Sequence, residues 1–458
     1  MQKDIFLKIA RYKIILRLQM SYLIRYFKVN CWLSYQYLLK MASFSRHNMT
    51  RFLLISALIS LFSPFESGAQ RRDLMLPKGL KKVEIPFEYE NNFIIVRIVL
   101  NDIFPLRFIF DTGAEHTILT RREITDLLQV DYKRRFPLLG SDLKMELYAY
   151  LANGIRIKMN DLYVTNQAIL VLEEDYLRFE EFAGINVQGI LGADLLRRFV
   201  VKIDYRIRKI TLYDPAHFQA PKGEYVEMPL EIKRHKPYLI AHTRLGSEDS
   251  TEVKLLMDSG ANLALMLHTN TNTKLHLPAH VVRSSIGMGL GGTIEGFMGR
   301  IPRLGLAGFS FESVTTNFQE LSPDMDSSYL NNRNGILGNQ ILSRFTIIID
   351  YVRSKLYLLP NRAFKDKFQY DKSGMLLAVS GPNLGSFVIL NVVPGSPAEE
   401  AGLKVGDEIK TLNGLPAALF TLEGIAHKMQ GRTGKKIHLN IKREEEKLKV
   451  TFKLRDLI

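Results

Sequence analysis

Cysteine and tryptophan are nearly missing from this chain: 458 residues hold one of each, Cys31 and Trp32, side by side near the start. Beyond residue 31 there is no thiol, which excludes a disulfide framework, thiolate nucleophiles and thiolate metal ligands from everything downstream. The ten histidines are scattered, and neither a His-Glu-x-x-His nor a Gly-x-Ser-x-Gly run occurs. Five glycines between 287 and 298 (Gly287, Gly289, Gly291, Gly292, Gly296) are not followed by Lys-Ser or Lys-Thr, so they do not read as a phosphate loop. The formal charge of +15 is concentrated: residues 1–48 carry nine Lys/Arg against one Asp, leaving +7 for the rest. No basic-aromatic stripe accompanies that excess, and no nucleic-acid partner is expected.

What is present is a repeat. Asp111-Thr112-Gly113-Ala114 and Asp258-Ser259-Gly260-Ala261 each follow an apolar run with strand character, Leu106–Phe110 and Val253–Met257. Pro77-Lys78-Gly79 leads into Val83-Glu84-Ile85-Pro86, and Pro221-Lys222-Gly223 leads into Val226-Glu227-Met228-Pro229. Asp111 lies 81 residues before the Gly of Ile190-Leu191-Gly192, and Asp258 lies 80 before that of Ile336-Leu337-Gly338. Each Gly is followed by a basic amphipathic stretch and a strand pair, ending in Lys209–Tyr213 and in Lys355–Leu359. The chain contains a duplicated lobe. Two aspartates brought face to face at about 3 Å cannot both ionise, and a pair sharing one proton can activate a water.

These residues carry a resemblance, over roughly residues 75 to 458, to the retropepsin and pepsin clan of aspartic proteases. They resemble in particular the bacterial two-lobed aspartyl protease family proteins with a C-terminal PDZ domain. The resemblance implies a mainly β fold with lobes at 75–217 and 221–360. It implies Asp111 and Asp258 as the catalytic pair, and Thr112 and Ser259 hydroxyls bonding across the axis. Gly113 and Gly260 would form the sharp turns, with Glu115 and Asn262 as substrate-binding residues. No cofactor and no metal are implied. Duplicated folds also survive the loss of their chemistry, and the alternative is an inactive peptide-binding or scaffold protein of the cell envelope. Retention of both Asp, both hydroxyls and both Gly favours the working pair.

Covering hairpins are expected at Phe136–Tyr150, turning at Leu139–Asp142, and at Ser285–Met298; Tyr148 and Gly289 are their candidate substrate contacts. The stretch Val393–Ile409 with Leu412-Asn413-Gly414 closely resembles a PDZ domain, placed at 366–458. Ser396-Pro397 starts a short helix there and Gly402 ends it; a second helix reads from Leu422 to Met429. By resemblance, its groove lies between that second helix and the strand following Ser373-Gly374-Met375-Leu376. A C-terminal or extended peptide would add there as a strand, with its carboxylate on backbone N–H groups.

Met49-Thr50-Arg51, the apolar run Phe52–Phe62 and the small residues Ser67-Gly68-Ala69 follow the order of a secretory signal peptide, 49–69. Its 11 apolar residues are too few to span a bilayer, so no stable membrane span is expected in the mature protein. Residues 1–48 read as an extension from an upstream start codon, or else as a basic amphipathic membrane extension. Export to the periplasm or beyond is the expectation.

Overall fold

In the strand Lys82–Glu90, Val83, Ile85 and Phe87 are buried while the residues between them are more exposed, the period of two expected of a sheet with one face on a core. The same logic recurs through the computed structural model, which describes Leu76 and residues 79–139, 146–246, 250–289, 292–321, 330–381 and 385–458. The proposed signal peptide, the extension before it with Cys31, and the expected turn after Leu139 lie outside the described residues. The fold is mainly β, with two protease-type lobes and a C-terminal PDZ domain within one compact unit, Leu74–Ile458.

The lobes meet in a shared sheet. Val200–Asp204 of lobe 1 pairs antiparallel with Phe345–Asp350 of lobe 2, Ile203 opposite Ile347. Lys209–Tyr213 and Lys82–Glu90 extend the sheet on one side, Lys355–Pro360 and Val226–Pro229 on the other. Phe345–Asp350 is buried along its whole length, which explains its unbroken apolar run Ile347-Ile348-Ile349. Within each lobe the strand that ends at the Asp runs parallel to the Ile-Leu-Gly strand: Phe110 is opposite Leu191, and Met257 is opposite Leu337. Both expected hairpins form. Tyr132–Leu139 pairs with Glu146–Met159, and Val281–Gly289 pairs with Gly292–Leu306.

The PDZ domain is a small sheet beginning with Met375–Ser380, packed with the helix Leu422–Met429 around Phe387, Ile389, Ile409, Ile425 and Met429. Ser396 caps its first helix, Pro397–Glu400, by accepting from Glu399 N–H at 3.3 Å. The segment joining it to lobe 2 is fixed. Phe364 packs on Phe309, Phe311 and Phe345 at 5.0–5.5 Å between ring centroids. The buried Arg344 donates to the carbonyls of Gln340, Ala363, Phe364 and Asp366, and its guanidinium lies 3.9 Å over the Phe368 ring.

Replacing Arg344 by Met leaves those carbonyls short of a donor and is expected to destabilise the unit by about 2–4 kcal/mol. Urea unfolding measures the loss. Limited trypsin digestion at Lys365 and Lys367 should be markedly faster in the variant; equal rates would show that Arg344 does not hold the joint.

Candidate active site

Each Asp sits where its strand ends. Asp111 N–H donates to Leu191 O and Asp258 N–H to Leu337 O, both at 3.0 Å, so the Ile-Leu-Gly strand sets the height of each carboxyl. The loops then cross. Thr112 Oγ1 donates to Met257 O at 2.7 Å and accepts from Ser259 N–H at 3.1 Å. Ser259 Oγ donates to Phe110 O at 2.8 Å and accepts from Thr112 N–H at 3.1 Å. Both hydroxyls are fully buried, and each donates one hydrogen bond to the opposite lobe and accepts one from it.

The glycines bring the carboxyls together. A Cβ on Gly113 would stand 2.4 Å from the Asp258 carboxyl carbon, and one on Gly260 would stand 2.4 Å from that of Asp111. Each carboxyl is also tied to its own loop. Asp111 Oδ1 accepts from Gly113 N–H at 2.6 Å and Ala114 N–H at 3.1 Å; Asp258 Oδ1 accepts from Gly260 N–H at 2.8 Å.

The two acids are unequal. Burial raises Asp111 well above the usual carboxylate range, and the charge of Asp258 and a hydrogen bond to it raise it further. Burial also raises Asp258, but its hydrogen bonds with Asp111 and Gly260 and the charges of Arg333 and Lys236 pull it back. Both carboxyls are thus biased towards the protonated form, and the two titrate as a pair. Arg333 precedes the Ile-Leu-Gly strand of lobe 2, and Lys236 opens the strand Lys236–Arg244, where Tyr238 is opposite Leu256. Neither position belongs to a motif legible in the sequence, because a lone cation next to a turn has no fixed neighbours.

Among the remaining expected residues, Asn262 Oδ1 accepts from Asn92 Nδ2 at 2.8 Å, so it joins the lobe 2 Asp loop to the turn Asn91–Asn92 of lobe 1. Glu115 holds the matching place in lobe 1, where its charge partly offsets the burial that pushes His235 and Lys236 of the lobe 2 turn down. Tyr148 lies in the lobe 1 hairpin with the Arg135 guanidinium 3.6 Å over its ring, and Gly289 closes its strand opposite Gly292; neither has a contact with the Asp pair among the described residues. His116 approaches Glu115 at 3.8 Å, and no group of three metal-binding side chains occurs among the described residues.

The PDZ loop departs from expectation. Ser373 N–H and Gly374 N–H, in the segment expected to border the peptide groove, both donate to Asp371 Oδ1, at 2.8 and 2.9 Å. Met375 N–H donates to Ser373 Oγ at 3.1 Å. The loop is filled by its own acid. Leu376 lies in the first strand, opposite Asn391, and the groove beside that strand is occupied too. Gly184 of lobe 1, at φ +65°, approaches so closely that a Cβ there would stand 2.9 Å from Leu422 Cβ and 3.6 Å from Val379 Cγ2. Leu422 and Val379 belong to the two walls of the groove. Asn91 Nδ2 donating to Ala183 O at 3.1 Å helps hold that segment in place.

With this geometry in view, residues 96–195 match the family described as aspartyl protease, and residues 388–443 match that described as PDZ domain. The chain carries an aspartyl protease domain and a PDZ domain. The protease-family match contains Asp111 and ends within lobe 1, so lobe 2 enters through the repeat and the crossed hydrogen bonds. No curated protein matches the chain. Among solved structures, the aspartic proteinase from Irpex lacteus matches with 13% identity and a TM-score of 0.39, covering 62% of this chain and 99% of that one.

The crossed hydroxyls of the protease domain should be worth more than their individual bonds. Thr112→Val and Ser259→Ala each leave buried N–H and C=O groups unsatisfied, at about 1–3 kcal/mol each. A double-mutant cycle followed by urea unfolding should show a coupling energy of at least about 0.5 kcal/mol; strict additivity would mean that the loops are held by other contacts.

Proposed function

We propose that the protein is an exported aspartic endopeptidase in which Asp111 and Asp258 act on one water. The observation that supports this best is the mutual approach of each Gly to the opposite carboxyl, held by hydroxyls that cross between lobes. A pair of buried acids with one proton between them is suited to amide hydrolysis. Asp258, held lower by Arg333 and Lys236, takes a proton from water as the oxygen attacks the peptide carbonyl carbon. Asp111 gives its proton to the carbonyl oxygen, forming a neutral tetrahedral diol. Asp258 then returns its proton to the leaving nitrogen while a hydroxyl proton passes back to Asp111. The C–N bond breaks, and an acid and an amine leave.

The substrate class is polypeptide, and the hairpins Tyr132–Met159 and Val281–Leu306 are the elements that would close over it. The PDZ domain is docked on lobe 2 rather than held on a free tether, since Arg344 and Phe364 fix its connection. Export follows from residues 49–69, with the mature chain starting near Gln70 in the periplasm or outside the cell.

Asp111→Asn and Asp258→Asn should each lower kcat at least about 10³-fold in hydrolysis of a quenched-fluorescence peptide library, with unfolding midpoints preserved. Near-normal turnover in either single variant would rule out the shared pair; folded wild type that cleaves nothing would favour the scaffold reading.

Activity requires Asp258 ionised and Asp111 protonated, so kcat/KM should be bell-shaped in pH. It falls at high pH as Asp111 loses its proton, and at low pH as Asp258 gains one. Arg333→Gln removes a charge that holds Asp258 down, so its low-pH limb should move to higher pH. A limb that stays in place would show that Arg333 does not bias the pair.

A further inference from the structure

A cavity of about 200 Å³ opens where three parts of the chain meet. One wall is the segment leaving the second Asp loop, Asn262–Leu265; another is the lobe 2 hairpin, through Ser285, Ile286 and Met298. The third wall is the PDZ domain, through Gln369, Tyr370, Asp371 and Gln430, the last of these capping the helix Leu422–Met429. We propose that this cavity is a substrate subsite beside the scissile bond that takes an uncharged hydrogen-bonding side chain, and that the PDZ domain supplies its specificity-determining wall. The proposal rests on the peptidase reading above, which provides the substrate.

The PDZ wall is held rigidly. Arg300 Nη2 donates to Phe368 O at 3.3 Å, with its guanidinium 5.1 Å over the Tyr370 ring. Tyr370 Oη accepts from Leu457 N–H at 2.7 Å, closing the C-terminus behind it. A preformed wall loses little entropy on binding.

The chemistry of the lining sets the class of side chain. Its one acid, Asp371, is already bonded by Ser373 N–H, Ser373 Oγ and Gly374 N–H, at 2.6–2.9 Å. A charged substrate group would therefore lose water without finding a free counter-ion. The side-chain amides of Gln340, Gln369 and Gln430 make no hydrogen bond with any described residue, and Asn317 uses only its Nδ2, on Ile286 O at 2.8 Å. These groups supply donors and acceptors to an incoming amide or hydroxyl, and an aliphatic side chain would leave them dry. The equivalent region of lobe 1 differs: Ala114, Ile118, Leu138, Leu172 and Tyr176 pack together there. The polar demand is thus confined to one side of the cleft.

The test uses the full chain and a peptide panel in which each position flanking the scissile bond is varied among Gln, Leu, Lys and Glu. A statine-containing copy of each peptide measures binding without cleavage. At one position, wild type should prefer Gln over Leu, Lys and Glu by at least about tenfold in kcat/KM. The Gln369→Leu, Gln430→Leu double variant should bring the Gln to Leu ratio to about one, and Gln430→Glu should move the preference towards Lys. Cleavage with no polar preference, or the same preference in the double variant with its melting temperature intact, overturns the subsite and leaves the peptidase reading standing. Wild type that binds the statine peptides with the Gln preference but cleaves none supports the subsite and removes the peptidase reading. If the double variant fails to fold, Gln430→Glu alone decides: an unchanged preference overturns the proposal.

Discussion

The crossed hydroxyls of Thr112 and Ser259 are the contact on which the rest of the active centre depends. Two carboxyls buried side by side repel when both are charged, and their burial disfavours charge on either. A site of that kind would open unless something held the loops at fixed separation. The hydroxyls do so without charge, since each spans from one lobe's backbone N–H to the same lobe's C=O. Neither lobe can satisfy its own loop. The shared sheet through Val200–Asp204 and Phe345–Asp350 brings the lobes together, and the hydroxyls set the register of the last few ångströms.

A second constraint joins the PDZ domain to the same centre. Arg344 lies one residue before the strand Phe345–Asp350, so a single short segment anchors both the inter-lobe sheet and the start of the PDZ unit. On the other side, Gly184 presses on Leu422 and Val379 at the groove. The PDZ domain is therefore braced by both lobes. Its groove and carboxylate loop are engaged within the chain, and its Gln369 and Gln430 line a cavity with the segment leaving the second Asp loop.

Much of this could be read from the sequence, for a definable reason. The Asp-Thr-Gly and Asp-Ser-Gly loops, the Ile-Leu-Gly strands and the Pro-Gly-Ser-Pro-Ala run of the PDZ domain are local solutions to backbone problems, and such solutions leave contiguous residue patterns. The hairpins and the helix Leu422–Met429 followed from turn chemistry and apolar spacing in the same way. Contacts made by docking left no such trace. Arg344 looks like any basic residue after a helix, and Gln369 and Gln430 look like surface amides. Asp371 taking the N–H groups of Ser373 and Gly374 depends on a turn two residues long, whose side-chain direction the pattern does not state.

Duplication poses its own problem, because two identical lobes would give two identical acids, whereas the proposed hydrolysis needs one donor and one acceptor. Here the asymmetry comes from outside the repeated motif. The turn Asn91–Asn92 of lobe 1 is answered in lobe 2 by Arg234–His235, followed at once by Lys236, and Arg333 stands near the end of the next crossing. Of these, Lys236 and Arg333 act on Asp258 against the effect of its burial, and the lobe 1 turn has only asparagines in the matching place. The cavity follows the same logic, since the segment leaving the lobe 2 Asp loop lines it together with the PDZ domain, whereas Ala114 and Ile118 of lobe 1 pack on apolar neighbours. The repeat supplies the geometry of the pair, and residues outside the repeated motif make the surroundings of its two carboxyls unequal.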